Sequence, residues 1–436
     1  MNRDLIQEDI RKIWASLDGP QRRQMFAELD QVDAEELFLE LAAADQLELL
    51  EARPLLQRRS WMRLLAPDDA ADLVQCLAPS EQSDYLGLLD EPTRREVEAL
   101  MAYAEDQAGG LMSPRFARLR PDMTVDHAVT YLRRQPLQSY ETIYILYVLD
   151  PQQRLLGVLS LRELLAARPD ALISEVMEAE PVTATPGLDQ EELSRLFAAH
   201  DLSSVPVVDE EGIMQGIVTI DDIVDVVQEE ATEDFQKVGG MEALDAPYLR
   251  SGFGTMLRKR AGWLTALFLG EMLTATAMGH FEEEIARAVV LALFVPLIIS
   301  SGGNSGSQAT TLVIRAMALG EVRLSDWWRV ARRELAAGLC LGLVLGLVGL
   351  LRILLWQSVF ATYGAHFLAI GMTVAFSLVG VVMFGTLAGS MLPFVLRRAG
   401  FDPASASAPF VATLVDVTGL VIYFTVARLI LKGVLL

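Results

Sequence analysis

Cysteine, histidine and, over the first 250 residues, positive charge are what this chain of 436 residues has least of. The two cysteines, Cys76 and Cys340, fall one in a polar half and one in an apolar half, which leaves no basis for a disulfide framework. The four histidines, His127, His200, His280 and His366, pair with no recognisable nucleophile. No GxxxxGK(S/T) phosphate loop occurs, so an enzyme is not expected and ATP-driven pumping has no residues to carry it. The opening MNRDLIQEDIRK is polar, and no cleavable signal peptide is expected from it. The shortage of positive charge is local. Residues 1–250 hold 49 Asp and Glu against 22 Lys and Arg, a net of −27; residues 251–436 hold 9 against 14, a net of +5; together they give the −22 of the whole chain. So negative a field repels nucleic acid and anionic lipid heads and draws cations.

What is abundant is apolar. Hydrophobic residues make up 52% and the mean hydropathy is +0.32, too apolar for one soluble domain that also carries 58 acidic side chains. The average hides two unlike parts. Up to about residue 108 the apolar residues recur at three- and four-residue spacing, as in AEELFLELAAADQLELLEA, with Pro67, Pro79 and Pro92 as punctuation; this reads as an all-α domain. From Gly109 two similar blocks follow, each a strand, a helix, two apolar strands around a turn, and a helix. Their period is 59 residues from Gly157 to Gly216 and 65 from Met112 to Met177. With VPVVDEEGIMQGIVTIDDI in the second, the blocks resemble a tandem pair of α/β CBS domains.

Five apolar segments close the chain, at about 261–279, 288–314, 334–357, 367–396 and 405–431, several longer than the roughly 20 residues that a bilayer crossing needs. Arg258, Lys259 and Arg260 precede the first; Arg315, Arg323, Arg329, Arg332 and Arg333 separate the second from the third; Arg397 and Arg398 separate the fourth from the fifth. By the positive-inside rule the acidic half is cytoplasmic, in a cell (inner) membrane, and the C-terminus faces outward. The second segment carries PLIISSGGNSGSQATTLVIR, polar and glycine-rich. Helix packing through small residues explains the glycines but not Asn304 and Gln308. The fifth carries VATLVDVTGLVIYF, with one carboxylate, Asp416. On insertion scales such a charge costs about 2.5–3.5 kcal/mol at mid-helix. Arg428, twelve residues on, is more than three turns away at about 1.5 Å per residue and is no partner for it. Lone acids in membrane segments mark ion or proton paths.

The phrases GGNSGSQATTLVIRAMALGEV, DPASASAPFVATLVDVTG and EEATEDFQKVGG resemble the MgtE family of magnesium channels and transporters, and the resemblance spans nearly the whole chain. It implies a helical N domain over 1–108, CBS domains over 109–172 and 173–235, a connecting helix over 236–260 that plugs the pore, and a five-helix transmembrane pore domain over 261–436. It also implies a homodimer in a lipid bilayer. Asp416 falls on the family's selectivity carboxylate and Ala412 on the small residue one turn before it; Ala408 stands where relatives often carry Asn or Gly. The function implied is a Mg2+-selective path for divalent cations running down their gradient, closed by cytosolic Mg2+. A proton- or sodium-coupled carrier is the alternative, since a lone membrane carboxylate also suits proton relay.

In the soluble half, Asp68 and Asp72, Asp222 and Asp225, and Glu230 and Glu233 stand three or four apart on shared helix faces. Hard oxygen donors in such number suit Mg2+ or Ca2+; a solvated acidic surface is the other reading. The resemblance implies regulatory Mg2+ at Asp68, Asp72, the carbonyl of Gly110, Asp189, Glu191, the carbonyl of Ala198, Asp201, Asp222, Asp225, Glu230, Glu233 and Asp234. CBS pairs often bind adenine nucleotides, which points to ATP at Arg162 and Glu163; Leu202 replaces the aromatic residue of ATP-binding relatives, a departure that counts against it.

Overall fold

A computed structural model describes residues 10–436 except 11, 12, 15, 137–139, 245, 247, 361, 434 and 436. It divides at Glu230 into two compact units. The first opens with helices α1 (Gly19–Glu28), α2 (Gln31–Leu39), α3 (Ala43–Glu51), α4 (Leu55–Met62), α5 (Pro67–Gln75), α6 (Pro79–Leu86) and α7 (Glu91–Leu100). Local chemistry sets where they start. Asp18 and Asp30 accept from backbone amides as N-caps, and Pro67, Pro79 and Pro92 occupy first-turn positions that need no amide donor. Phe26, Phe38, Leu49, Leu50, Met62, Leu73 and Val97 are buried between them.

A short turn of helix, α8 (Ala108–Leu111), leads into the duplicated blocks. The first contains β1 (Phe116–Leu119), α9 (Val125–Arg134), β2 (Thr142–Leu149), β3 (Leu155–Ser160) and α10 (Leu161–Ala166). After α11 (Ile173–Val176), the second contains β4 (Glu178–Ala179), α12 (Gln190–His200), β5 (Ser204–Val208), β6 (Met214–Thr219) and α13 (Ile220–Val238). The blocks exchange their leading segments. β4, at the head of the second, pairs with β3 of the first, and Ser113, at the head of the first, bridges Ile217 on β6 of the second. This accounts for the repeated Met and Gly. A Cβ on Gly157 would meet the carbonyl of Glu178 and the side chain of Met177, and one on Gly216 would lie 2.9 Å from both the carbonyl of Ser113 and the side chain of Met112. Each glycine admits the other block's leader. Tyr147 and Ser204, buried and 2.7 Å apart, join the blocks at their centre.

The second unit holds the apolar helices: α14 (Phe253–His280), the short α15 (Glu282–Arg287), α16 (Val295–Ala318), α17 (Trp327–Phe360), α18 (Phe367–Arg398) and α19 (Ala408–Leu431). All but α15 lie in stretches long and apolar enough to cross a membrane. The separate connecting helix expected over 236–260 is not present as such. α13 runs on to Val238 and stops at Gly239–Gly240, where Gly240 adopts φ +76°. The described residues from 241 to 252 form no helix, and the basic stretch Arg258–Arg260 belongs to the first turns of α14. No proline or cap separates that stretch from the apolar run, so the helix continues through it. α14 buries none of its residues against the rest of the chain.

Helix packing in this unit goes through glycine. Gly385 and Gly389 of α18 lie against the backbone carbonyls of Gly302 and Gly306 of α16, which leaves no room for a Cβ. Replacing Gly385 by alanine is expected to destabilise the protein by about 1–3 kcal/mol through overpacking. The same change at Gly279, with nothing within 4 Å of the added carbon, is expected to leave the melting temperature in detergent unchanged.

Candidate functional site

On the membrane side the site is built on α19. Ser407 caps it, its hydroxyl accepting from Phe410 N, and Pro409 sits in its first turn. A cavity of about 610 Å³ lies along the helix, lined by Pro409, Ala412, Thr413 and Asp416 of α19 and by Leu264, Thr265, Leu267, Phe268 and Glu271 of α14. Both residues expected on the path, Asp416 and Ala412, open on this one space. Arg428 pairs instead with Glu284 at 3.5 Å, in line with its distance along the helix from Asp416. The polar segment of α16 divides by role. Ser307 donates to the carbonyl of Ala408 at 3.2 Å and Thr310 to that of Gly389 at 2.9 Å, so these hydroxyls tie helices together. Asn304 and Gln308, four apart, are exposed on the helix surface. Gly303 brings α16 against Ala412: an added Cβ would stand 3.5 Å from that of the alanine.

The cavity also shows what reading the sequence for a lone carboxylate missed. Glu271, in FLGEMLT of the first apolar helix, faces the same space as Asp416. The signal that singled out Asp416, an acid inside an apolar run, was present there too.

In the soluble unit α5 and α13 bring Asp68, Asp69, Asp72, Asp222 and Asp225 into mutual electrostatic reach, with Glu105, Glu141, Asp221 and Glu229 around them. Asp68 is buried, and its Oδ1 has no hydrogen-bond partner among the described residues. Burial, followed by Glu141, Asp69 and Asp222, holds its carboxyl well above the usual aspartate range. Burial and neighbouring acids likewise push Asp69 up to about 6 and Asp72 up to about 7. Burial raises Asp222 to about 7 although the Thr219 amide and hydroxyl both donate to its Oδ2. Glu141, Asp225 and Glu229 are raised, in each case first by burial. Asp69, Glu105, Glu141, Asp221 and Glu229 belong to this cluster without having been expected in it.

The other expected ligands are arranged differently. Asp189 and Asp201 bracket α12: the first accepts from Glu191 N, and the second ends the helix with a left-handed φ of +51°. Glu191 is paired with Arg195, and Ala198 is exposed near the end of the same helix. Gln190 donates to Glu230 at 2.6 Å, which ties α12 to α13. Gly110 is buried in α8, against the carbonyl of Ala104. Farther along α13, Glu233 is paired with Lys237, whose Nζ also lies 2.7 Å from Asp402 Oδ2; Asp234, next in sequence, lies on the same helix. Among the described residues no three Asp, Glu, His or Cys side chains are grouped to hold one metal ion. Of the nucleotide candidates, Glu163 accepts from both the amide and the hydroxyl of Ser160 as a helix cap, Arg162 is exposed, and Leu202 packs against the apolar core.

The cluster makes stability depend on pH with a definite sign. Its folded pKa values lie above the ordinary aspartate value of about 4. Between that value and about 7 the folded state therefore binds more protons than the unfolded one, and stability falls as pH rises. In thermal melts of the full chain the soluble unit is expected to unfold at lower temperature at pH 7.5 than at pH 5.5 (about these values, spanning the window). Asp72→Asn is expected to recover on the order of 1 kcal/mol at the higher pH and to flatten the slope.

Comparison with known proteins covers almost every element above. The family profile for a divalent cation transporter matches residues 295–426, that for the MgtE intracellular N domain residues 6–106, and that for the CBS domain residues 108–170 and 173–229. The chain is 44% identical over 370 residues to a magnesium transporter MgtE of Thermus thermophilus, covering 84% of this chain and 80% of that one. It is 33% identical to one of Enterococcus faecalis, covering 77% and 72%. A solved cytosolic domain of the Mg2+ channel MgtE, in complex with ATP, aligns with 51% of this chain and 93% of its own at 40% identity and a TM-score of 0.48. With a helical N domain, an interlocked CBS pair and five apolar helices, two of which line an acidic cavity, this chain belongs to the MgtE family of magnesium transporters.

Proposed function

We propose that the chain forms a Mg2+-selective path across the cell membrane, taken down the electrochemical gradient and closed from the cytoplasmic side by Mg2+ itself. The observation that carries this is the cavity at Asp416 and Ala412: a carboxylate in an apolar helix, facing space rather than a basic side chain. Mg2+ gives up its waters reluctantly. A small residue one turn from the carboxylate leaves room for a hydrated ion, and charge disfavours monovalent competitors. In a homodimer with α19 of each copy facing a common axis, two Asp416 carboxylates stand at one level. The basic residues around 258–260, 323–333 and 397–398 support an orientation with the acidic unit in the cytoplasm and the C-terminus outside.

Control rests on the acidic cluster. Without divalent ions, Asp68, Asp72, Asp222, Asp225 and their neighbours repel one another. Mg2+ bound there favours the arrangement that holds them together, and that difference in affinity shifts the equilibrium towards the closed state. Carboxylates presented in pairs, with carbonyls such as those of Gly110 and Ala198, suit an ion that keeps part of its water shell. ATP at Arg162 and Glu163 is a further ligand of this reading, although the Glu163 cap on Ser160 must be shared or opened to admit a ribose.

Two measurements test the proposal. Purified protein in liposomes is expected to pass Mg2+ under a Mg2+ gradient and membrane potential alone, and Asp416→Ala to abolish the flux; an obligatory Na+ or H+ counterflux would instead establish the coupled carrier. In patch recordings, the double substitution Asp225→Asn, Glu230→Gln is expected to keep current flowing at internal Mg2+ that closes the wild type. Unchanged closure would remove the cluster from control.

A further inference from the structure

We infer that Glu271 is a second cation-binding carboxylate on the membrane path, acting together with Asp416 on the same ion. The inference rests on the reading that Asp416 holds the transported cation, and it extends that site to a residue of another helix.

The register of α14 against α19 places the two acids at one level. Trp263 Nε1 donates to Ser407 Oγ at 3.2 Å, a separation of 144 residues. One and a half to two turns on, Gly270 meets Thr413, whose Cγ2 would stand 3.0 Å from an added Cβ; 413 minus 270 is 143. The helices therefore run parallel in nearly constant register, and 271 plus 144 gives 415, next to Asp416. Gly270 supplies the close approach that lets the following side chain reach the cavity. Glu271 and Asp416 both line that cavity, and each is within electrostatic reach of the other.

No Lys, Arg or His lines the space, and among the described residues neither acid has an ion-pair partner. No residue of α14 is fully buried and Glu271 is exposed, so this carboxylate, halfway along the helix, faces either hydrocarbon or this cavity. Facing hydrocarbon costs about 2.5–3.5 kcal/mol even on the mildest scales. Two carboxylates on facing helices, opening on a space that holds several waters, form a site for a hydrated divalent cation. One carboxylate presents a single charge, which a sodium ion satisfies; two favour a divalent ion over a monovalent one by charge alone. Glu271 thus adds a second charge to the Asp416 site within each chain, beyond that of the symmetry-related Asp416.

The test is flux through the full chain in liposomes. Glu271→Gln is expected to raise the half-saturating Mg2+ concentration on the order of tenfold and to weaken the exclusion of Na+, with Glu271→Asp restoring most of both. Should the amide variant fail to fold, Glu271→Cys in a Cys76→Ser, Cys340→Ser background keeps the question open to measurement. A sulfonate-bearing thiol reagent is then expected to restore Mg2+ flux and an ammonium-bearing one to block it, a dependence on adduct charge that a purely structural role does not produce. Unchanged Mg2+ affinity and Na+ exclusion in Glu271→Gln, alongside a dead Asp416→Ala, overturn the inference and leave the underlying reading intact. A wild type that passes no Mg2+ overturns both.

Discussion

A carboxylate taken out of water needs a proton, a counter-cation or some remaining water, and both halves of this molecule hold acids that have no basic partner among the described residues. The contrast with Asp45 is instructive. That acid is buried too, but Trp14 Nε1 donates to it at 2.9 Å and Arg22 lies 3.4 Å away. Where the fold needs only stability, it provides the partner. At Asp68, Asp72 and Asp222 it provides more acids, and their pKa values rise accordingly. Along α14 and α19 it provides a cavity. In both places the proposed function supplies the missing charge from solution, as a proton or a cation.

The surrounding architecture makes these arrangements rigid enough to matter. In the soluble unit, the exchange of leading segments between the CBS blocks fixes β6 and the start of α13, and with them Asp222 and Asp225, against α5. A Cβ at Gly157 or Gly216 would push the exchanged segments apart. In the membrane unit, α16 and α18 meet backbone to backbone, and Thr310 and Ser307 spend their hydroxyls on neighbouring helices. α19 is thereby held on one side, while its other side, towards α14, keeps the open space.

Much of this is legible from residue pattern alone, for reasons that can be named. The repeated Met and Gly of the CBS blocks are visible because one steric requirement recurs twice. Asp416 stands out because polar residues are rare in apolar runs. Glu271 satisfies the same criterion, yet its run is less apolar and begins with the basic turns of α14, which blurs where the membrane segment lies. The connecting helix was misplaced for the same reason: hydropathy marks where charge ends, and helical hydrogen bonding pays no attention to charge. Glu141 and Glu105 were beyond reach because the cluster is assembled by tertiary contact between segments 30 or more residues apart (Asp72 to Glu105, for example, spans 33). No local spacing announces them.

The two halves are joined by a helix whose charge balance changes along its length. The early turns of α13, from Asp221 to Glu229, carry acids that repel one another. The last turns are neutralised from within, because Lys237 bonds both Glu233 and Asp402. Asp402 in turn accepts from Ala404 N and caps the short turn that leads to Ser407, the cap of α19. Under the proposed control by Mg2+, the early turns are where a cation would find acids that repel one another, whereas the last turns already have Lys237.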